Sequence, residues 1–434
     1  MTEFERSRQK MEYGFIFDVA LILATTKILG MATRRVKLPQ VVGALLAGLI
    51  LGPACLGILH ETEFINQLAE LGVIVLMFDA GLETDINELK KSGKNSFIVA
   101  TLGVIVPFVG GFLVAQAYGL GTTDVLRSVF IGLILTATSV SISVETLKEM
   151  GRLSTPSGNI ILGAALIDDI LGVILLTVVT SFADPNVNIA MMAFKIIAFF
   201  ALSGVVGFLL HKGFQVWMQR HDRDLRRFAV FSFAFCLLYS FIAEEFFGVA
   251  DITGAFLAGL IISNTTRATY VSSRVGILSY MLLSPLFFAN IGLKVVLPQM
   301  NFMIVSFTIV ICIVAILSKV IGCGLGAKLC GCPNTRALRV GVGMISRGEV
   351  ALIIAMKGIA LGMMDEQFIA PVILMVVVTT VITPILLKFV YNPKYDTVEY
   401  QSSKLVDSYE KSKDFERASQ ALLRQHDQVN TENK

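Results

Sequence analysis

Apolar runs of about 20 residues recur along this chain from Phe15 to Val390, separated by short polar breaks. A helix of that length crosses a hydrocarbon core of about 30 Å. Neither the one-sided stripe of a surface helix nor the alternation of a half-buried strand dominates the pattern. It predicts an all-α polytopic membrane protein with about thirteen spans. Their centres fall near Leu23, Leu46, Leu76, Val106, Leu135, Leu171, Phe199, Phe235, Leu257, Leu283, Val314, Ala351 and Val377. After Asn392-Pro393 the pattern stops, so residues 1–391 are read as the membrane domain and 392–434 as a charged tail. Within that tail Leu405, Tyr409, Phe415, Leu422 and Leu423 are spaced for a short amphipathic helix.

Composition agrees. Of 434 residues, 55% are hydrophobic and 16% charged, against about 25% charged in soluble domains. A soluble enzyme or a nucleic-acid-binding module is excluded on that ground. Cysteines 55, 236, 312, 323, 330 and 332 lie mostly in apolar runs and read as small hydrophobes. Cys330-Gly-Cys332 has no second ligand pair at zinc-site spacing. No cleavable signal is expected, since the first dozen residues mix Glu and Arg and no small-residue cleavage site follows.

Net charge is only +3, but its distribution orients the chain. Basic loops hold Arg34, Arg35 and Lys37; Lys90, Lys91 and Lys94; Lys148 and Arg152; Arg220, Arg223, Arg226 and Arg227; Arg267 and Arg274; and Lys328, Arg336 and Arg339. The opposite loops are acidic at Glu61 and Glu63, Asp184, Glu244 and Glu245, and Asp365 and Glu366. Basic loops face the cytoplasm. With an odd number of spans, the N-terminus is expected outside and the tail inside.

An internal repeat adds architecture. Gly43-Ala-Leu-Leu-Ala-Gly-Leu-Ile50 returns as Gly254-Ala-Phe-Leu-Ala-Gly-Leu-Ile261, an offset of 254 − 43 = 211. Gly81-Leu82 returns at Gly292-Leu293, Gly111 at Gly322 and Gly132 at Gly343, all in the same register. That offset covers about seven spans, an odd number, so the second copy is inverted. Repeat one is assigned to about 14–183, a linker helix to about 188–211 and repeat two to about 226–391. Inverted repeats are a mark of secondary transporters, whose substrate sites lie near the midplane.

In this register Asp168-Asp169 lies over Thr379-Thr380, and residues 136–141 lie over 347–352. Asp168 and Asp169 stand two to three turns into a span, where an ionised carboxylate costs about 2.5–3.5 kcal/mol on insertion scales. Two together demand cations, protons or water. A hard cation seeks several oxygen ligands, and a proton neutralises the same carboxylate. Competition for one group yields exchange. Lys319, also within a span, is the cationic counterpart; its place is with an Asp of the pair, Asp168 by preference, and the weaker reading is snorkelling from a helix end. Arg347 and Glu349 flank Gly348 in another apolar run, opposite Thr136, Thr138, Ser139 and Ser141. Two broken helices crossing there would direct their half-helix ends at one another, and charged side chains would compensate those dipoles. Arg347 and Glu349 are therefore read as holding the crossing in preference to ligating ions directly. Asp79 is placed to line an ion funnel, Glu83 is read as interfacial, and no histidine falls at mid-span.

These stretches resemble the monovalent cation:proton antiporter family, on the branch of bacterial sodium/proton antiporters and glutathione-gated potassium efflux systems. The resemblance is carried by residues 38–53, Phe78-Asp-Ala-Gly-Leu-Glu-Thr-Asp85, Thr136-Ala-Thr-Ser139, Asp168-Asp169, residues 254–259, Lys319 and Arg347-Gly-Glu349. It implies a homodimer in a bacterial inner membrane, with a rigid dimerisation domain and a mobile core carrying two crossed, partly unwound helices near Thr138 and Gly348. It further implies that Asp169 binds Na⁺ or H⁺, that Asp168 pairs with Lys319, and that Thr138 and Ser139 are candidate ligands at the crossing. An Asp at 168 resembles the electrogenic members. No cofactor is implied beyond the transported Na⁺ and H⁺. Potassium/proton exchange is the second reading. A channel lacks a filter-like carbonyl loop here. An aspartyl protease needs carboxylates facing each other, whereas neighbours on one helix diverge by about 100°.

Overall fold

The computed structural model describes residues 14–35, 38–120, 125–183, 189–220, 225–263, 265, 267–295 and 302–391. The tail, with its expected amphipathic helix, lies outside the described residues. The described residues form sixteen α-helices with one π-turn and one 3-10 turn. The first eight α-helices are α1 (Gly14–Arg35), α2 (Gln40–Leu51), α3 (Glu63–Glu83), α4 (Ile86–Ala117), α5 (Val125–Thr136), α6 (Val140–Glu149), α7 (Pro156–Ala183) and α8 (Ile189–Arg220). There follow α9 (Leu225–Phe247), α10 (Asp251–Ser263), α11 (Ala268–Leu278), α12 (Ser284–Leu293), α13 (Phe302–Leu329), α14 (Asn334–Gly343), α15 (Glu349–Ala360) and α16 (Ile369–Val390).

The chain is an all-α, multi-pass membrane protein. Among the described residues, ten helical segments are long and apolar enough to cross a bilayer, and three shorter apolar helices cover Gln40–Leu51, Asp251–Ser263 and Val350–Ile359. At ~1.5 Å per residue, the 12 residues of α2 span only about 18 Å. Hydropathy had centred full-length spans on all three. Other helices, rather than lipid, cover two of them, since most of α2 and α10 is buried, whereas the third exposes Ile353 and Met356. The helix expected over 188–211 continues to Arg220.

Local chemistry sets several boundaries. Thr62 caps α3 by accepting from Ile65 N, and Asp85 caps α4 by accepting from Asn87 N at 2.8 Å. The π-turn Ser279–Leu283 joins α11 to α12 as one 26-residue span. On α13, Ile309, Ile313, Leu317, Ile321 and Leu325 form an exposed apolar stripe four residues apart, the face suited to lipid. The opposite face, including Ala315, Lys319 and Cys323, is buried.

Two helix groups emerge from the packing. In one, α3 packs on α10 and α12, α2 on α1 and α12, and α9 on α10. In the other, α4 packs on α5, α7 and α13, and α13 on α14 and α16. Residues 211 apart make the same contacts twice. A methyl on Gly292 would lie 2.7 Å from Gly48 C of α2, and a methyl on Gly81 would lie 3.0 Å from Gly259 Cα of α10. Close backbone approach therefore explains the repeated glycines.

Most residues assigned to basic loops stand on helices instead, and two of them make fixed contacts. Lys148 lies in the last turn of α6, and Arg339 is buried within α14, where its Nε donates to Val390 O at 3.1 Å. Arg339 also stacks 4.6 Å from the Tyr391 ring. Both bases satisfy carboxylate or carbonyl oxygens at helix ends, which loop counting could not register.

Candidate cation and proton site

Mid-helix position is what makes Asp168 and Asp169 costly. They stand about 18 Å from the start of α7 at 1.5 Å per residue, and are 2% and 9% exposed. Lys319 Nζ donates to Asp168 Oδ1 at 2.9 Å, with both side chains sealed from solvent. The lysine stands roughly 15 Å short of the end of α13 and is fully buried. It does not snorkel. The pair fits because α4 presents Gly103 to it: a methyl there would lie 3.6 Å from Lys319 Nζ and 2.6 Å from Cys323 Sγ. The other oxygen of Asp168, Oδ2, is buried and accepts no hydrogen bond among the described residues. It retains capacity for a proton, water or cation.

Asp169, one residue on, faces a different space. It lines a narrow cleft, with room for about one water molecule, together with Val173 of α7, Ile196 of α8, the Gly248–Ala250 turn and Thr253 of α10. The cleft thus lies where the group containing α7 meets the group containing α10. Two neighbouring carboxylates are assigned to two environments by the 100° step of the helix.

Beside them, two helices break. The α5–α6 pair is interrupted at residues 137–139 and the α14–α15 pair at residues 344–348. The breaks bind each other: Ser139 N donates to Ser346 O at 2.8 Å, and Ser346 Oγ returns a bond to Ser139 O at 2.9 Å. Ser143 Oγ donates to Gly343 O at 2.5 Å and lies 3.0 Å from Ser346 Oγ. Gly348 is needed because a methyl there would come within 2.9 Å of Ser139 Cβ. Thr138 is 2% exposed, and its hydroxyl has no partner among the described residues.

Arg347 is wholly buried. Its guanidinium donates to Ile345 O at 2.7 Å, Met344 O at 3.4 Å and Ala315 O at 3.2 Å. These carbonyls follow the end of α14 or belong to α13, so the cation faces the negative end of a half-helix. Thr380 Oγ1 donates to Arg347 O at 2.8 Å, and Arg347 N donates to Thr379 Oγ1 at 3.3 Å. Glu349 opens α15; its side chain lies outside the described ones. The structure therefore brings Asp168 to Lys319, and Ser139 to the Arg347-Gly348 break, and it places Asp169 at the cleft. It makes no bond from Arg347 to either aspartate among the described residues.

Sequence reasoning missed four participants. Gly103 carried no signal beyond being a glycine in a span. Thr379 and Thr380 were signalled by the repeat register but received no role. Thr253 looked like an ordinary helical threonine. Asp79, 1% exposed on α3, is ion-paired to Lys148 of α6 and accepts from Ser272 Oγ of α11 at 3.0 Å. Glu83 also pairs with Lys148, at 3.2 Å. Asp79 thus joins the two helix groups. Among the described residues no group of three or more His, Cys, Asp or Glu is arranged to hold a metal, Cys330 and Cys332 included.

The fold has known counterparts. Residues 20–392 match the model of the sodium/hydrogen exchanger transmembrane family. The chain belongs to that family. This exchanger-family chain is 39% identical over 386 residues to the Na(+)/H(+)-K(+) antiporter GerN of Bacillus cereus, covering 88% of itself and 98% of that relative. It is 36% identical to a Na(+)/H(+) antiporter of Enterococcus hirae, over 86% and 97% of the two chains. Its fold resembles the sodium proton antiporter MjNhaP1 of Methanocaldococcus jannaschii, with a TM-score of 0.63 at 17% identity, over 86% and 95% of the two chains. The exchanger family's transmembrane part therefore accounts for nearly all of the described residues.

Proposed function

We propose that this exchanger-family chain is an electrogenic sodium/proton antiporter whose carrier group is Asp169. One observation carries the reading: Lys319 neutralises Asp168 inside a sealed pair, while Asp169 of the same helix opens onto a cleft. A buried carboxylate facing such a cleft takes a cation or a proton but is costly empty, so one leaves as the other enters. Lys319 is itself titratable. If a metal ion on the pair displaces its proton, more than one H⁺ returns per Na⁺ and the cycle moves charge.

Alternating access would come from movement of the group holding α4–α7 and α13–α16 against the group holding α1–α3 and α9–α12. The linker α8 lies between them. The glycine contacts repeated 211 residues apart support two inverted repeats and thirteen crossings, counting each broken pair once. Homodimerisation, a bacterial inner membrane, an external N-terminus and a cytoplasmic tail belong to the same reading. Potassium is the second cargo to consider, because the 39%-identical relative is named a Na(+)/H(+)-K(+) antiporter.

Everted vesicles with a respiration-driven pH gradient test this directly. Addition of Na⁺ should dissipate the gradient at lower concentration than K⁺, and faster when the membrane potential is not clamped. Asp169→Asn should abolish the response while leaving a folded, extractable protein, since a neutral amide suits the membrane better than a charge. Persistent exchange in Asp169→Asn would remove the carrier assignment.

A further inference from the structure

The cleft at Asp169 is lined by apolar residues apart from two, Asp169 on α7 and Thr253 on α10. Thr253 is 2% exposed, and Thr253 Oγ1 has no hydrogen-bond partner among the described residues. Buried helical threonines elsewhere return their hydroxyls to a carbonyl three or four residues back. Thr146 does so to Ile142 O, Thr177 to Val173 O and Thr308 to Ile304 O, each at 2.7–2.8 Å. Thr253 stands in the first turn of α10, and the chain four residues back is the Gly248–Ala250 turn. The usual acceptor is displaced. Ala250 O is already taken by the backbone N–H groups of Thr253 and Gly254.

A buried, unbonded hydroxyl carries a desolvation cost of about 1–3 kcal/mol and is seldom kept without a partner. Its second feature is asymmetry. The repeat register puts Val42 where Thr253 stands (253 − 42 = 211), and Val42 of α2 is buried. The position equivalent to Thr253 in the other copy therefore carries methyl groups and no hydroxyl.

We propose that Thr253 is a ligand-positioning residue for the cargo of Asp169, supplying a hydroxyl oxygen to the Na⁺ only while the cleft beside α10 is open. This rests on the antiport reading above and adds a state-specific contact from the stationary group. A hydroxyl is suited to the task because its lone pairs face a cation and its proton faces a carboxylate. When α7 moves toward the α2 side, Val42 replaces Thr253 and the cation loses that oxygen. Affinity at the two membrane faces then differs by a contact outside the moving site.

The test is Thr253→Val, which keeps the shape and removes the oxygen, with Thr253→Ser as the restoring variant. Na⁺-dependent proton flux is measured in right-side-out and everted vesicles, so that each face meets Na⁺ in turn. Thr253→Val should raise the half-saturating Na⁺ concentration about three- to tenfold at the face onto which the cleft opens. It should leave the other face and the maximal rate within about twofold, and Thr253→Ser should restore the wild-type value. Equal shifts at both faces, no shift, or a fall in maximal rate without a shift would each overturn the proposal. If the wild-type protein itself gives no Na⁺-dependent flux, the antiport reading falls and takes this proposal with it. If wild type exchanges normally and only the face-specific shift is missing, Thr253 alone is wrongly assigned.

Discussion

Helices α7 and α16 occupy corresponding places in the repeat, yet their middles carry opposite chemistry. Asp168 and Asp169 on α7 stand 211 residues before Thr379 and Thr380 on α16 (379 − 168 = 211), and all four are buried. The threonines bond to the Arg347 backbone at a helix break. Their hydroxyls close a local defect. The aspartates instead reach a lysine on α13 and a cleft shared with α10. A neutral hydroxyl can sit in hydrocarbon with one fixed partner, whereas a carboxylate needs a counter-charge, which can be exchanged. On the antiport reading proposed above, the same frame holds a fixed joint in one half and a replaceable partner in the other.

A second position repeats the lesson. Asp79 on α3 corresponds to Asn290 on α12 (290 − 79 = 211). Asp79 is ion-paired across the two helix groups to Lys148, while Asn290 donates its amide to Asn66 of α3, within one group, at 3.1 Å. Here charge appears where the two groups meet, and an amide within one of them.

The largest effect should come from breaking the sealed pair. Lys319→Met leaves Asp168 buried without its cation, a loss of about 3–5 kcal/mol for an uncompensated charge. The double variant Lys319→Met/Asp168→Asn should recover much of the single variant's loss, since no lone charge remains. Thermal unfolding in detergent gives the cycle. Additive single losses, with no recovery, would mean the two side chains do not act as a pair.

Lys148→Met comes next. Asp79 keeps its bond from Ser272, and Lys148 is a quarter exposed, so the expected loss is about 1–3 kcal/mol. A change in transport should accompany it, because this pair bridges the two groups. The ratio of inward-facing to outward-facing cysteine labelling should shift relative to wild type. A variant that loses stability but keeps the same ratio would reduce the pair to a static strut.

Much of this frame was legible in the sequence because it breaks or repeats a pattern. Charges at Asp168, Asp169, Lys319 and Arg347 interrupt apolar runs, and an interruption that expensive marks itself. Glycines at 48, 81, 259 and 292 repeat in register, and the structure uses them as paired backbone contacts. The missed features depend on neighbours remote in sequence. Lys148 read as a loop base because it stands near a helix end; only α3 beside it makes it a partner of Asp79. Gly103 matters through Lys319, more than two hundred residues away. The shortness of α2 and α10 was hidden because window averages extend an apolar helix into its apolar flanks.

The smallest effect distinguishes joint from carrier most cleanly. Thr380→Val removes one bond, from Thr380 Oγ1 to Arg347 O, in a site with no exposure. Loss of a buried neutral hydrogen bond is about 0.5–1.5 kcal/mol, with a further desolvation penalty for the carbonyl left behind. Thr380→Ser keeps the hydroxyl and should retain most of it. If α16 is the fixed joint, Thr380→Val lowers the unfolding temperature by a few degrees and leaves the half-saturating Na⁺ concentration and the number of protons per Na⁺ unchanged. An altered proton count would place Thr380 in the transport chemistry, and the division between hydroxyl half and carboxylate half would no longer hold.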